Sequence, residues 1–202
     1  MAKCIIFCAG EFDALLEPIC AEDFIIAADG GLRHTEKLGI TPNLILGDFD
    51  SLGYTPENAL VFPIEKDDTD AMLAVKAGLQ QGLRQFILYG ALDGPRLDHT
   101  VANLQTLLYL LKQGATGKLV GKTQIATALK EGAMKFPAPT KGTVSVFAAG
   151  GVAEGVSLKG LKYPLTEGVL TPDFPLGVSN RFLGDEAEIS VKKGSLFIVY
   201  TL

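Results

Sequence analysis

Along the first 120 or so residues, short apolar runs alternate with stretches whose apolar positions recur every three to four residues. The apolar runs Cys4–Ala9, Phe24–Ala28, Leu44–Gly47, Leu60–Pro63, Phe86–Tyr89 and Lys118–Val120 read as strands. Between them, Gly31–Lys37, Thr69–Gln81 and Asp98–Gln113 read as helices. The last carries Val101, Leu104, Leu107, Leu108 and Leu111 on one face, and Gly114 ends it. Continuous apolar strands separated by helices predict a mostly parallel sheet covered on both faces. After about Thr123 the pattern changes. Gly132–Pro139 reads as turn-rich and helix-poor. Short strands are predicted at Thr143–Ala148, Val156–Lys162, Ala187–Val191 and Leu196–Leu202, the last two joined as a hairpin by Lys192-Lys193-Gly194. The fold class expected is α/β: an N-terminal, mostly parallel, Rossmann-like three-layer domain over residues 1–122, then a C-terminal all-β sandwich over 123–202.

Composition narrows the classes of function. A formal net charge of −5 without any basic run argues against nucleic-acid binding. No apolar run approaches the roughly 18–20 residues of a membrane span. Met1–Phe7 enters a strand directly, without a signal-peptide layout, so a soluble, cytoplasmic protein is expected. Cys4, Cys8 and Cys20 do not make a disulfide framework. Cys4 and Cys8 on one strand lie about 13 Å apart at about 3.3 Å per residue, and no zinc set completes them. All three are expected to be buried, reduced thiols. Ten of the twelve Asp residues fall in the first hundred positions, whereas Glu is spread throughout. Solubility alone would not separate the two carboxylates. A short, rigid acid needed at strand ends and turns would.

Those aspartates cluster where strands end. Gly47-Asp48-Phe49-Asp50-Ser51 follows an apolar strand, and Asp67-Asp68-Thr69-Asp70 opens a helix. Asx turns and caps explain single carboxylates, with Asp67 as the candidate cap. Two sets at adjacent strand ends are better explained by a shared cation, because like charges repel without one. Oxygen-only clusters suit Mg²⁺, which recruits one or two carboxylates together with substrate phosphates. Asp29-Gly30-Gly31, after the second strand, allows a close backbone approach to a ligand ahead of a helix. Gly90 to His99 follows another strand. There Arg96 offers a planar fork for phosphate oxygens, Asp98 opens a helix, and His99 is placed for a phosphate, a base or a local hydrogen bond. His34 reads as surface structure. In the β half, Tyr163 lies beside Pro164, able to stack on a flat or cationic ligand or to cover a core edge. Ser179-Asn180 falls in a glycine-rich loop.

Taken in order, AADGG, GDFDS, DDTD, GPRLDHTVANL and GLKYPL resemble the thiamine pyrophosphokinase family over nearly the whole chain. The resemblance implies a homodimer with active sites between subunits, transfer of the diphosphate of ATP to the hydroxyl of thiamine, and a requirement for Mg²⁺. It implies a metal and phosphate set of Asp48, Asp50, Asp67 and Asp70. It puts Asp29, Gly30, Gly31, Gly90, Arg96 and His99 around ATP, with Asp98 beside the phosphates. Tyr163 falls where many members carry a Trp that packs on thiamine, and Ser179 and Asn180 match a pair near that pocket. The catalytic group expected is Asp48, Asp50, Asp70, Arg96 and Asp98, with Asp70 and Asp98 both candidates to accept the hydroxyl proton. Two other readings compete. One is diphosphate transfer to another hydroxymethyl heterocycle, such as a pterin. The other is an inactive nucleotide- or thiamine-binding regulator.

Overall fold

The computed structural model describes residues 2–202 and divides into two compact units, the first ending at Thr123 and the second spanning Gln124–Leu202. In the first, strands β1 (Cys4–Phe7), β2 (Phe24–Ala28), β3 (Leu44–Gly47), β4 (Leu60–Val61), β5 (Gln85–Tyr89) and β6 (Thr116–Val120) lie in the order β6-β5-β1-β2-β3-β4. Every pairing among them is parallel. The chain builds outward from β1 to β4, then returns to the other side of β1 with β5 and β6. That reversal opens a crevice at the carboxyl ends of β1 and β5, where parallel sheets bind ligands.

Alternation along the strands divides the two faces. Ile5, Phe7, Ile25, Ile87, Tyr89 and Val120 form one buried cluster, covered by Phe12, Leu15, Leu16, Ile19 and Ile40. The opposite face meets helices α2 (Asp70–Gln80) and α3 (Leu97–Lys112), which also touch each other. Gly78 of α2 lies so close to β1 and β5 that a Cβ there would fall 2.6 Å from Cys4 Sγ and 2.7 Å from the Phe86 ring. A short helix α1 (Leu32–Leu38) follows a 3-10 turn at Asp29–Gly31.

The second unit is antiparallel. Its strands are β7 (Gln124–Phe136), β8 (Thr143–Ala148), β9 (Ala153–Lys159), β10 (Leu165–Leu170), β11 (Gly177–Arg181) and β12 (Ala187–Thr201). β12 pairs with β7 along its length, with β9 through its first half and with β8 through its second. One strand thus serves both layers of a sandwich, closed over Val144, Val146, Val156, Leu158, Ile189, Leu196 and Ile198.

Several expectations are corrected here. Lys192-Lys193-Gly194 is no hairpin turn. Against β7 the pairing runs Val191 to Gly132, then Ser195 to Lys130, so four steps on β12 oppose two on its partner. The extra residues form a bulge, with Gly194 at φ 94°, and the strand continues. Gly132–Phe136, expected in a turn-rich segment, is the end of strand β7, because β12 supplies a paired partner that overrides local preference. Ser179 and Asn180 lie in strand β11 rather than a loop. Cys4 and Cys8 are buried thiols as expected, but Cys20 is exposed in the segment before β2. Among the described residues, no helix is long and apolar enough to cross a membrane.

Candidate active site

At the carboxyl edge of the parallel sheet, the segments after β1, β2, β3 and β5 surround a cleft of about 650 Å³. Local backbone geometry explains how carboxylates reach it. Phe49 is buried at 3% exposure and adopts φ 61°, a left-handed conformation uncommon for a bulky residue. Its ring anchors the turn, so Asp48 and Asp50 flank it on the cleft side, and the Asp50 N–H donates to Asp48 Oδ1 at 3.3 Å. The turn, and not strand alternation, brings the pair together. Gly47 (φ 153°) lets β3 pass so near the next strand's turn that a Cβ would fall 3.0 Å from Asp29 Cα. Asp29 itself holds φ 48° in the 3-10 turn after β2. Behind it, a Cβ on Gly31 would strike Phe7 O at 1.9 Å, so only glycine lets the turn press onto β1.

One ligand oxygen from each of Asp29, Asp48 and Asp50 lies within 4.8 Å of the others. Ser51 Oγ donates to Asp29 Oδ2 at 2.7 Å, whereas Asp29 Oδ1 is buried without a hydrogen-bond partner. An orphaned carboxylate oxygen among other carboxylates, with no sulfur or imidazole in the group, suits a hard divalent cation. The residues present therefore fit Mg²⁺.

Lys66 sits on the other side of Asp48. Its Nζ donates to Asp48 Oδ2 at 2.7 Å and lies 3.1 Å from Asp70 Oδ1. The second contact is an ion pair. The lysine holds the Asp48 carboxyl below its ordinary range, against the opposing effect of burial. For Asp70 the balance reverses: burial dominates and pushes its pKa up, with Lys66 opposing. Both carboxylates face one cleft, yet the deeper one holds its charge less easily.

The other expected residues divide into groups. Gly90, Arg96 and His99 line the cleft. Thr100 Oγ1 and Asn103 Nδ2 donate to Leu92 O and Ala91 O, pinning the Gly90–Pro95 loop to α3. Gly30 and Gly31 are buried behind the cleft, where they shape the turn. Arg96 is paired with Asp98 at 2.6 Å, and both side chains are 64% exposed. The guanidinium holds Asp98 below the usual carboxylate range. Asp67 is exposed and does not line the cleft, and the cap of α2 is Thr69, whose side chain accepts from Met72 N. Asp68 does line the cleft and is held by Lys76 at 2.6 Å. His34 Nε2 donates to Gly10 O at 2.7 Å and its ring packs against Phe12, so it is more than a surface residue. Sequence reading passed over Lys66. A single cation directly before four residues containing three aspartates was the available signal.

In the second unit, Tyr163 follows β9 and is 58% exposed, with Lys162 Nζ 5.3 Å from its ring centroid. Asn180 is 3% exposed. Its Oδ1 accepts from Tyr163 N and Arg181 N, and its Nδ2 donates to Tyr163 O at 2.7 Å. Its amide thus holds the backbone at Tyr163 in place. Ser179 is exposed at φ 60° in β11, with its N–H bonded to Ser145 Oγ.

Comparison with known proteins decides the family. Residues 17–119 match the thiamin pyrophosphokinase catalytic domain, and residues 123–196 match the thiamin pyrophosphokinase vitamin B1 binding domain. The chain belongs to the thiamin pyrophosphokinase family. It is 26% identical over 183 residues to the thiamine pyrophosphokinase of Bacillus subtilis, covering 86% of this chain and 85% of that one. The crystal structure of thiamine pyrophosphokinase from Bacillus subtilis shares the fold over 100% of this chain and 99% of its own, with TM-score 0.83 and 24% identity. A thiamin pyrophosphokinase family protein from Enterococcus faecalis gives TM-score 0.81 and 25% identity over 100% and 99%. Membership favours the thiamine reading over a pterin-like acceptor or an inactive regulator.

Proposed function

We propose that this protein is a thiamine diphosphokinase, transferring the terminal diphosphate of ATP to the hydroxyl of thiamine to give thiamine diphosphate and AMP. The observation that carries the reading is the convergence of Asp29, Asp48 and Asp50 around an orphaned carboxylate oxygen, in the cleft at the carboxyl edge of a family member's parallel sheet. Asp48 and Asp50, with Asp29, would hold Mg²⁺; Asp70 completes the acidic wall, while the exposed position of Asp67 argues for a peripheral part. The ion supplies charge neutralisation for the phosphates of ATP, which such a cleft would otherwise repel.

The rest of the task falls to the chain. The Gly90–Pro95 loop, pinned by Thr100 and Asn103, forms a fixed wall beside the nucleotide. Arg96 is exposed and leaves Asp98 at little cost, since water screens a surface ion pair. Its fork is then available to phosphate oxygens, with His99 alongside. Diphosphoryl transfer, like phosphoryl transfer, depends on positioning and on neutralising charge at the reacting phosphorus. Asp70 lines the cleft half-buried, whereas Asp98 is solvent-exposed and outside the cleft lining, so geometry favours Asp70 as acceptor of the thiamine hydroxyl proton. In the second unit, Tyr163 would stack on the cationic thiazolium, in place of the Lys162 ammonium now near its ring. Ser179 would lie beside it, and Asn180 would hold Tyr163 in place. A cytoplasmic homodimer with active sites between subunits completes the proposal, the first unit handling Mg-ATP and the second thiamine and dimerisation. The test is direct: incubate pure protein with ATP, Mg²⁺ and thiamine and resolve the products. AMP and thiamine diphosphate in equal amounts are expected; binding of thiamine without any turnover would overturn the assignment.

A further inference from the structure

The acidic cleft contains a cation of the chain's own. Lys66 precedes α2 in the sequence, and its side chain is only 14% exposed, with Nζ 2.7 Å from Asp48 and 3.1 Å from Asp70. Ordering a lysine gives up much rotamer freedom, and its ammonium is strongly hydrated. A lysine needed only for solubility would remain in water. The neighbouring cations show the contrast. Arg96 is paired on the surface with Asp98, and Lys76 with Asp68, further along the cleft. Among the described residues, Lys66 is the cation paired with a member of the Asp29–Asp48–Asp50 group.

That pairing has an electrostatic consequence. Asp48 Oδ1 accepts from Asp50 N and Oδ2 accepts from Lys66, while each oxygen keeps a further lone pair. A divalent ion that shares Asp48 with the ammonium meets the repulsion of a neighbouring positive charge, so the two cations compete for the same carboxylate. A nucleotide changes that competition, because its phosphate oxygens can accept from Lys66 while also ligating the ion.

We propose that Lys66 is a tethered cation that occupies Asp48 and Asp70 until a metal-bound nucleoside triphosphate arrives, then exchanges those carboxylates for phosphate oxygens, so that divalent-ion and nucleotide binding depend on each other. Coupling of this kind is reciprocal: the nucleotide tightens the ion by the same factor as the ion tightens the nucleotide. The choice of nucleotide rests on the diphosphokinase reading, but the test requires neither thiamine nor turnover. Inactivity in the product assay and absence of competition at Asp48 are therefore separate failures.

Mn²⁺ binding measured by electron paramagnetic resonance provides the test, with and without α,β-methylene ATP, in which carbon replaces the bridging oxygen between the α- and β-phosphates. The wild type should bind Mn²⁺ at least about fivefold more tightly with the analogue present, the lower end of ordinary coupling between sites. Without the analogue, Lys66→Met should bind Mn²⁺ at least about fivefold more tightly than wild type, and its response to the analogue should shrink. Lys66→Arg, which keeps the charge, should stay close to wild type. Thermal melts establish that each variant is folded, and Lys66→Gln replaces Lys66→Met should the latter not fold. Mn²⁺ affinity that does not rise in the neutral variants, or an undiminished response to the analogue, overturns the proposal.

Discussion

The two units treat buried polar groups differently. In the second, Asn180 satisfies three backbone partners around Tyr163 and Arg181, and Ser157 Oγ accepts from Glu167 N. Its polar interior is committed to holding the sandwich together. In the first unit, Asp23, Thr35 and Asn103 are committed in the same way. Yet Asp29, which lines the cleft, has Oδ1 buried without a hydrogen-bond partner, and the buried Asp70 Oδ1 has only the Lys66 ion pair. A folded chain seldom leaves such atoms unsatisfied, because each costs about 1–3 kcal/mol. Where polar groups remain unspent, chemistry is the reason; where they are all spent, the surface they support is what functions.

This contrast can be tested from both sides. The largest effect belongs to Asp50→Asn, which should lower kcat by about 10²–10³, the usual loss when one electrostatic stabiliser is removed. Because Asp50 is exposed, its melting temperature should stay within a degree or two of wild type. Near-normal turnover across a Mg²⁺ titration would remove Asp50 from the metal set. The opposite pattern is expected for Asn180→Ala: a loss of about 2–4 kcal/mol in urea unfolding, from leaving Tyr163 N and O without partners. A stability loss below 1 kcal/mol there would break the comparison. Tyr163→Ala should change little in stability and raise the KM for thiamine by roughly 2- to 30-fold, the span of a cation–π contact. A shift confined to the KM for ATP would contradict its placement.

The smallest effect concerns thiols. Burial pushes both Cys4 and Cys8 up to about 12, whereas Cys20 is exposed. A raised thiol pKa leaves little thiolate at pH 7–9, so a thiol reagent should label Cys20 alone in native protein and all three in urea. Rapid native labelling of Cys8, which lines the cleft, would mean that the first unit is more open than its packing implies.

The degree to which the molecule was legible in its sequence follows the same division. Strand and helix periods fixed the parallel sheet because each apolar strand must be covered on both faces. The acidic site was legible because carboxylates at strand ends have few structural uses. Its membership was less so. Asp29 comes within reach of Asp48 and Asp50 from a turn with an unusual φ of 48°, whereas Asp67 lies exposed outside the cleft lining and Thr69, not Asp67, caps α2. Lys66 could be found only by asking what balances several aspartates in one cleft. In the β unit, the bulge at Lys192-Lys193-Gly194 resembles a hairpin turn locally, and only the continued partnership with β7 distinguishes them. Asn180 was expected near the thiamine pocket by resemblance; its contacts with Tyr163 N and O, which no local sequence pattern signals, fix the backbone there.

The central claim is that the group transferred is the whole diphosphate. ATP labelled with ³²P at the β-phosphorus tests this most directly when supplied with Mg²⁺ and thiamine. The account predicts that the label leaves the nucleotide and appears in thiamine diphosphate, with unlabelled AMP formed in equal amount. Label retained in ADP, accompanied by thiamine monophosphate, would contradict it.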